Sequence, residues 1–144
     1  MTRILVIDDE APLREEILDI LSFEGFEAVG ATNGREGLDL AKSLQPDLII
    51  CDVMMPEMDG YAVLKALQVD DGSHPIPFIF STAKSDNRDV RFGMALGADD
   101  YLTKPFTHEE LLSAIHVRLE RHSRIINFTR QELHVGNEKL IRTL

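Results

Sequence analysis

The stretch DLIICD at 47–52 decides the fold, because it places four consecutive apolar residues between two acids. A continuous apolar run of this length predicts a strand that is buried on both faces, as in a parallel sheet. A second run, RILVI at 3–7, has the same character and ends immediately before Asp8. Two such strands would bring acidic residues together at the carboxyl edge of one buried sheet.

Extended and helical patterns alternate on either side of these two runs. Further strands are predicted at 27–31, 76–81 and 99–103. Helical apolar spacing is found at 13–21, 38–44, 61–69, 87–96 and from 107 to at least 119. This alternation predicts an α/β fold, a doubly wound parallel sheet of five strands with five helices.

Composition excludes several classes of protein. Acidic residues outnumber basic ones by 25 to 15, and a net charge of −10 disfavours binding to nucleic acid through electrostatics. The only cysteine, Cys51, excludes an internal disulfide. The longest apolar runs hold four residues, whereas a membrane span needs about 20. We therefore expect a soluble, cytoplasmic protein without a membrane segment and without direct binding of nucleic acid.

The charge changes sign near the carboxyl terminus. Residues 122–144 hold four basic and two acidic residues, so the remaining 121 residues hold eleven basic and 23 acidic ones. We place a domain boundary after Arg121, with one domain at 1–121 and a linker or signalling-helix extension at 122–144.

Complementary polar residues follow four of the predicted strands. Asp8 and Asp9 follow the first, Asp52 ends the third, Thr82 follows the fourth and Lys104 follows the fifth. Ligands of doubly wound sheets bind outside this edge. Clustered carboxylates suit Mg²⁺, and a lysine with a hydroxyl can stabilise a phosphoryl group while one carboxylate acts as nucleophile.

These residues lie in motifs that together resemble the receiver domain of two-component response regulators. The resemblance covers about 2–121 and rests on IDDE at 7–10, Asp52 with MPEMDG at 55–60, STA at 81–83, GADDY at 97–101 and KPF at 104–106. It implies a flavodoxin-like fold and a role in two-component signal transduction. The implied activity is a self-catalysed phosphorylation and slow dephosphorylation that switches the conformation and so controls an output or a partner.

The resemblance assigns the metal and the phosphoacceptor. Asp52 would accept a phosphoryl group from the phosphohistidine of a sensor histidine kinase or of a phosphotransfer protein. Asp9 and Asp52 would bind Mg²⁺ directly, Asp8 would act mainly through water, and the main-chain carbonyl of Met54 would complete the protein ligands.

The resemblance also assigns the switch. Thr82 would donate a hydrogen bond to the phosphoryl group and Lys104 would pair with it. Tyr101 matches an aromatic residue whose rotamer follows phosphorylation in this family. The peptide bond between Lys104 and Pro105 is expected to be cis. The resemblance also implies that two side chains at the mouth of the site, Met54 and Lys84, influence the attack of water on the acyl phosphate.

Two other functions remain open. One is a small Mg²⁺-dependent aspartyl phosphohydrolase of the haloacid dehalogenase type, which typically has a second aspartate two residues after the nucleophile, where this chain has Met54. The other is a receiver-like protein-interaction module that is not phosphorylated.

The carboxyl-terminal segment has a weak heptad spacing, with apolar residues at Leu119, Ile126, Leu133 and Leu140. It predicts either a helix that forms a homodimer or a linker, which could lead to an output domain beyond Leu144. The transcription-factor type of receiver dimer is disfavoured, because three positions that we associate with its ion pairs hold Val90, Ala95 and Ala114. Other charges of that ion-pair network are retained, at Asp99, Asp100 and Glu110.

Overall fold

The computed structural model describes residues 1–69, 75–83 and 86–123. Its strands are β1 (Arg3–Ile7), β2 (Glu27–Ala31), β3 (Leu48–Cys51), β4 (Phe78–Thr82) and β5 (Asp100–Thr103). Its helices are α1 (Ala11–Phe23), α2 (Gly34–Leu44), α3 (Gly60–Val69), α4 (Asn87–Ala95) and α5 (108–123).

The five strands form one parallel sheet in the order β2-β1-β3-β4-β5. Two apolar clusters cover its two faces, one beneath α2, α3 and α4 and the other beneath α1 and α5. The predicted doubly wound, five-stranded fold is therefore confirmed. The strand order proceeds in opposite directions from β1 and from β3, so the carboxyl ends of these two strands flank the crevice where such folds bind ligands.

Local sequence sets the ends of several helices. Asn33 accepts a hydrogen bond from the Glu36 N–H (2.8 Å) at the start of α2. Thr107 accepts one from the Glu110 N–H (3.0 Å) at the start of α5. These are N-cap interactions, in which a short polar side chain satisfies an N–H of the first helical turn.

Strand β4 begins and ends later than the predicted range 76–81. Pro77 has no N–H to donate to a neighbouring strand, although its carbonyl accepts from the Ile49 N–H at 2.9 Å. Regular pairing starts at Phe78 and continues to Thr82, which pairs with Thr103. Thr82 is consequently a strand residue, held in place by the ladder.

Most of the predicted extension lies outside the described residues, which stop at 123. Leu119, the first residue of the heptad spacing, packs against the core cluster of its own domain. None of the described helices is long and apolar enough to cross a membrane.

Candidate functional site

Asp52 follows the last residue of β3 and is 4% exposed. Its N–H donates to the Ile7 carbonyl (2.9 Å), and its Oδ1 accepts from the Met54 N–H (3.3 Å). The loop after Asp52 folds back so closely that a Cβ at Gly60 would collide with the Asp52 main-chain carbonyl. A glycine at 60 therefore allows the loop to close around the acidic side chain.

Lys104 joins the two buried carboxylates of the site. Its Nζ lies 3.0 Å from Oδ2 of Asp8 and 3.4 Å from Oδ2 of Asp52. Asp8 is 2% exposed, and its second oxygen accepts from the Glu10 N–H (2.9 Å). Lys104 follows β5 and precedes a cis peptide bond to Pro105, as the resemblance implied.

Asp9 completes a cluster of three carboxylates. One oxygen from each of Asp8, Asp9 and Asp52 lies within 4.8 Å of the others, and Asp9 is exposed. Three carboxylates and the Lys104 ammonium leave a net charge of −2, which one divalent cation would neutralise. The all-oxygen donor set, with a solvent-exposed side, matches the preference of Mg²⁺.

The protonation of Asp52 reflects opposing influences. Burial raises the pKa of this carboxyl, Lys104 lowers it, and Asp8 raises it again. Hydrogen bonds from the Thr82 side chain and the Met54 main chain also lower the pKa, but the net shift is upward. The ionised form of Asp52 is therefore destabilised by the loss of solvation, and additional positive charge near the site would stabilise it.

The neighbouring Cys51 is buried in the core beneath this site. Burial raises the pKa of its thiol, and the carboxylates of Asp52 and Asp8 raise it further. The thiol consequently stays protonated and acts as a small apolar residue.

Tyr101 lies away from the acids, in β5, beneath a group of aromatic rings. Its ring centroid is 5.8 Å from that of Phe80, which lies 5.1 Å from that of Tyr61. The Tyr101 hydroxyl oxygen is buried and has no hydrogen-bond partner among the described residues. Tyr101 is thus partly buried and packs against the core cluster, and its hydroxyl oxygen is shielded from solvent.

The structure brings together the acids, Thr82 and Lys104, while Lys84 lies outside the described residues. The sequence pattern does not single out Arg14, whose Nη1 donates to the Asp8 carbonyl at 2.7 Å. Its position in the first turns of the helix that follows Asp8 and Asp9 is the feature that could have indicated this contact. The helical pattern at 61–69 likewise does not indicate that the Tyr61 side chain contacts rings on two other elements.

The sequence matches the response regulator receiver domain family over residues 4–116. The chain belongs to this family. The receiver is 37% identical over 144 residues to the DNA-binding response regulator MtrA of Mycolicibacterium paratuberculosis, covering 97% of this chain and 63% of that protein. It is 41% identical over 125 residues to the dual master transcriptional regulator RpaA of Synechocystis, covering 87% and 52%. It thus spans half to three fifths of the length of these relatives.

Solved structures show the same fold. The chemotaxis protein CheY4 of Vibrio cholerae aligns with a TM-score of 0.77 and 32% identity, over 82% of this chain and 98% of that one. The receiver domain of the Francisella response regulator 1452 aligns with a TM-score of 0.79 and 31% identity, over 85% and 99%. This chain is therefore a receiver domain of two-component signal transduction.

Proposed function

We propose that this receiver accepts a phosphoryl group on Asp52 from the phosphohistidine of a sensor kinase or a phosphotransfer protein. The observation that carries the proposal is the placement of Asp52, a buried carboxylate with Lys104 at 3.4 Å and two further carboxylates within reach. A nucleophile held beside a fixed cation and a hydroxyl donor suits phosphoryl transfer, which depends on positioning and on charge stabilisation.

In the transfer, one Asp52 oxygen forms a bond to phosphorus and the bond between phosphorus and the histidine nitrogen breaks. The electron pair of that bond remains on the imidazole. Lys104 can exchange its contact with Asp52 for one with a phosphoryl oxygen while it keeps Asp8 at 3.0 Å. Thr82, which already donates to the Asp52 side chain, would donate to a second phosphoryl oxygen.

We further propose that Asp9 and Asp52 bind Mg²⁺ directly, with the Met54 carbonyl as a third protein ligand. Asp8, whose two oxygens contact Lys104 and the Glu10 N–H, would act mainly through water, as the resemblance to receivers implies. When bound, the ion supplies positive charge against the oxygens of the transferring group.

Transfer to Asp52 would shift the conformation around Thr82 and Tyr101 and so control an output. We propose a receiver unit at 1–121 followed by a linker or signalling helix at 122–144. The names of the relatives MtrA and RpaA describe DNA-binding or transcriptional regulators that are longer than this chain. We propose a further output domain after Leu144 on that basis.

The proposal is tested by incubating the protein with acetyl phosphate and Mg²⁺ and measuring by intact mass the incorporation of a phosphoryl group that is labile to both acid and base. We expect one added phosphoryl group in the wild type, none in Asp52→Asn and none when EDTA replaces Mg²⁺. Asp9→Ala should abolish Mg²⁺ binding and labelling together. Asp39→Asn, which changes an exposed aspartate of α2, is the matched control and should be labelled normally.

Three results would contradict these assignments. Labelling of Asp52→Asn at Asp8 or Asp9 would show that Asp52 is not the phosphoacceptor. Full labelling in EDTA would show that the reaction does not require the metal. Absence of labelling in the folded wild type would favour an interaction module. Multiple turnover of a generic phosphate ester would favour the phosphohydrolase.

A further inference from the structure

Arg14 of α1 contacts the main chain of the acidic loop that follows β1. Its Nη1 donates to the Asp8 carbonyl at 2.7 Å, a short charge-assisted hydrogen bond. The Arg14 N–H also donates to the Glu10 carbonyl (2.9 Å), within the first turn of the helix. Arg14 thus donates to main-chain oxygens on either side of Asp9, those of Asp8 and Glu10.

Strand β2 leaves space for this arginine. A Cβ added at Gly30 would lie 3.3 Å from Cδ of Arg14 and 2.9 Å from Cδ1 of Leu18, both too close for an undisturbed side chain. The missing side chain at Gly30 therefore allows the Arg14 stem to lie against β2 while its guanidinium reaches back to Asp8.

The main chain at Asp9 is restrained by hydrogen bonds to the peptide groups on both sides of this residue. The Asp9 carboxylate is exposed and accepts no hydrogen bond from the described residues. The peptide group before it is held by the bond from Arg14 to the Asp8 carbonyl, and the peptide group after it by the bond from the Glu10 N–H to Asp8 Oδ1. The two flanking peptide groups of Asp9 are consequently restrained, and with them the direction in which its side chain leaves the main chain.

We propose that Arg14 is a positioning residue that fixes the peptide between Asp8 and Asp9 and so preorganises Asp9 as a ligand for Mg²⁺. This inference rests on the metal site proposed above. A ligand whose direction is fixed in advance loses less conformational freedom when it binds.

The positive charge of Arg14 allows the positioning role to be tested, because the charge and the positioning of Asp9 would have opposite effects on Mg²⁺ affinity. A guanidinium near the site repels a divalent cation, so a purely electrostatic role predicts that neutralising Arg14 tightens Mg²⁺ binding. A positioning role predicts that the same change weakens it. The sign of the change in Mg²⁺ affinity therefore separates the two roles.

The experiment titrates Mg²⁺ alone into the full chain and follows the amide resonances of Asp9 and Glu10 by NMR. Arg14→Met keeps an apolar stem but removes donor and charge, Arg14→Lys keeps charge and a donor, and Arg35→Met removes the same charge from an exposed position in α2. Titrations at low salt and in about 1 M KCl, where the Debye length is about 3 Å, separate the charge effect from the positioning effect.

We expect Arg14→Met to bind Mg²⁺ about 3- to 10-fold more weakly at both salt concentrations, the range for one lost hydrogen bond. Arg14→Lys should recover most of the affinity, and Arg35→Met should not weaken binding. Without Mg²⁺, Arg14→Met should also exchange its Glu10 amide hydrogen faster than the wild type, since the loop is less restrained.

Two outcomes would overturn the inference and point to different causes. Mg²⁺ binding by Arg14→Met that equals or exceeds that of the wild type, with normal wild-type titration, would overturn only the role of Arg14. A wild-type spectrum that does not respond to Mg²⁺ would overturn the metal site itself, and with it this role.

Discussion

Asp52 is buried, although its proposed role as a nucleophile requires an ionised carboxylate. Because its pKa is raised in the folded protein, the unfolded chain ionises this carboxyl more readily than the native state does. The folded state therefore loses stability, relative to the unfolded state, as the pH rises through the unfolded and then the folded pKa of Asp52. At neutral pH the phosphoacceptor is held in place at the expense of stability.

Asp52→Asn should accordingly be more stable than the wild type at about pH 7. The difference should shrink as the pH falls towards about 4, the ordinary range for Asp, because the wild-type carboxyl then becomes neutral as well. Urea unfolding of the two proteins across this range measures the difference, and Asp39→Asn controls for the loss of an exposed charge. A variant less stable than the wild type at neutral pH would show that the bond to Lys104 outweighs the cost of burial.

Met54 lies at the mouth of the site, and its side chain is 57% exposed. A thioether is a weak hydrogen-bond acceptor and cannot orient a water molecule for attack on an acyl phosphate. Lys84, the other position that the resemblance assigns to this step, cannot act as a base while it is protonated, and it lies outside the described residues. We therefore expect phosphorylated Asp52 to lose its phosphoryl group slowly.

Met54→Asn combined with Lys84→Glu should speed this loss by about 10-fold, which corresponds to about 1.4 kcal/mol of activation free energy. The rate is measured after removal of acetyl phosphate, by following the mass of the phosphorylated protein. Met54→Leu is the control that keeps apolar bulk without a carboxamide. An unchanged decay rate in the double variant, with Mg²⁺ binding intact, would show that other groups control the water.

At the scale of elements, helix α4 is attached to the rest of the domain by aromatic rings and by a close backbone approach. Phe92 meets Tyr61 of α3 edge-on, with centroids 4.8 Å apart, and the Tyr61 hydroxyl donates to the Asp89 carbonyl at 3.4 Å. A Cβ at Gly93 would lie 3.1 Å from the rings of Phe80 and Tyr101. The Tyr101 ring is therefore packed closely against α4.

The partial burial of Tyr101 affects the stability of the folded protein at alkaline pH. Burial raises the pKa of the Tyr101 hydroxyl well above its usual value. The neutral hydroxyl thus contributes stability that is present below about pH 10, the pKa of an unfolded tyrosine, and is lost as the pH rises further. Replacing Tyr101 by Phe should remove this alkaline loss.

The chain has two tyrosines and no tryptophan, so absorbance titration can follow each phenol separately. In Tyr61→Phe only Tyr101 remains, and we expect it to ionise above pH 10 and together with unfolding. Tyr101→Phe should stay folded to higher pH than Tyr61→Phe, as followed by circular dichroism. Ionisation of Tyr101 near pH 10 in a protein that remains folded would show that its hydroxyl reaches solvent.

For the whole molecule, the described part favours neither mode of dimerisation. Asp100 lies 4.0 Å from Arg118 within the same chain, so this charge already has an intramolecular partner. Leu119 is packed against its own core, which leaves Ile126, Leu133 and Leu140 to form any helical seam, outside the described residues. A dimer through the carboxyl-terminal segment would consequently have a short apolar contact.

Sedimentation of the 144-residue chain and of a chain shortened to Arg121 tests this segment. We expect a weak, concentration-dependent dimer of the longer chain and a monomer of the shorter one, with greater helicity per residue in the longer chain. Equal, monomeric sedimentation and equal helicity would leave a linker as the only function of 122–144.

Local sequence patterns are sufficient to predict the five strands and the polar residues at their carboxyl ends. Apolar runs as continuous as those at 3–7 and 47–52 can be buried on both faces only in a covered parallel sheet. Parallel strands end at a common edge, so Asp8, Asp9 and Asp52 had to approach one another once the strands were adjacent. Both results follow from local patterns and from sheet geometry.

The contacts between side chains that are distant in sequence depend on the tertiary structure. Lys104 contacts Asp8 across 96 positions of sequence, and no local pattern specifies that it joins two carboxylates. The bond from Arg14 to the Asp8 carbonyl requires the space at Gly30, on a strand that pairs with β1 only in the folded sheet. Such contacts depend on how strands and helices pack, and close packing joins residues distant in the chain in a way that local sequence patterns do not specify.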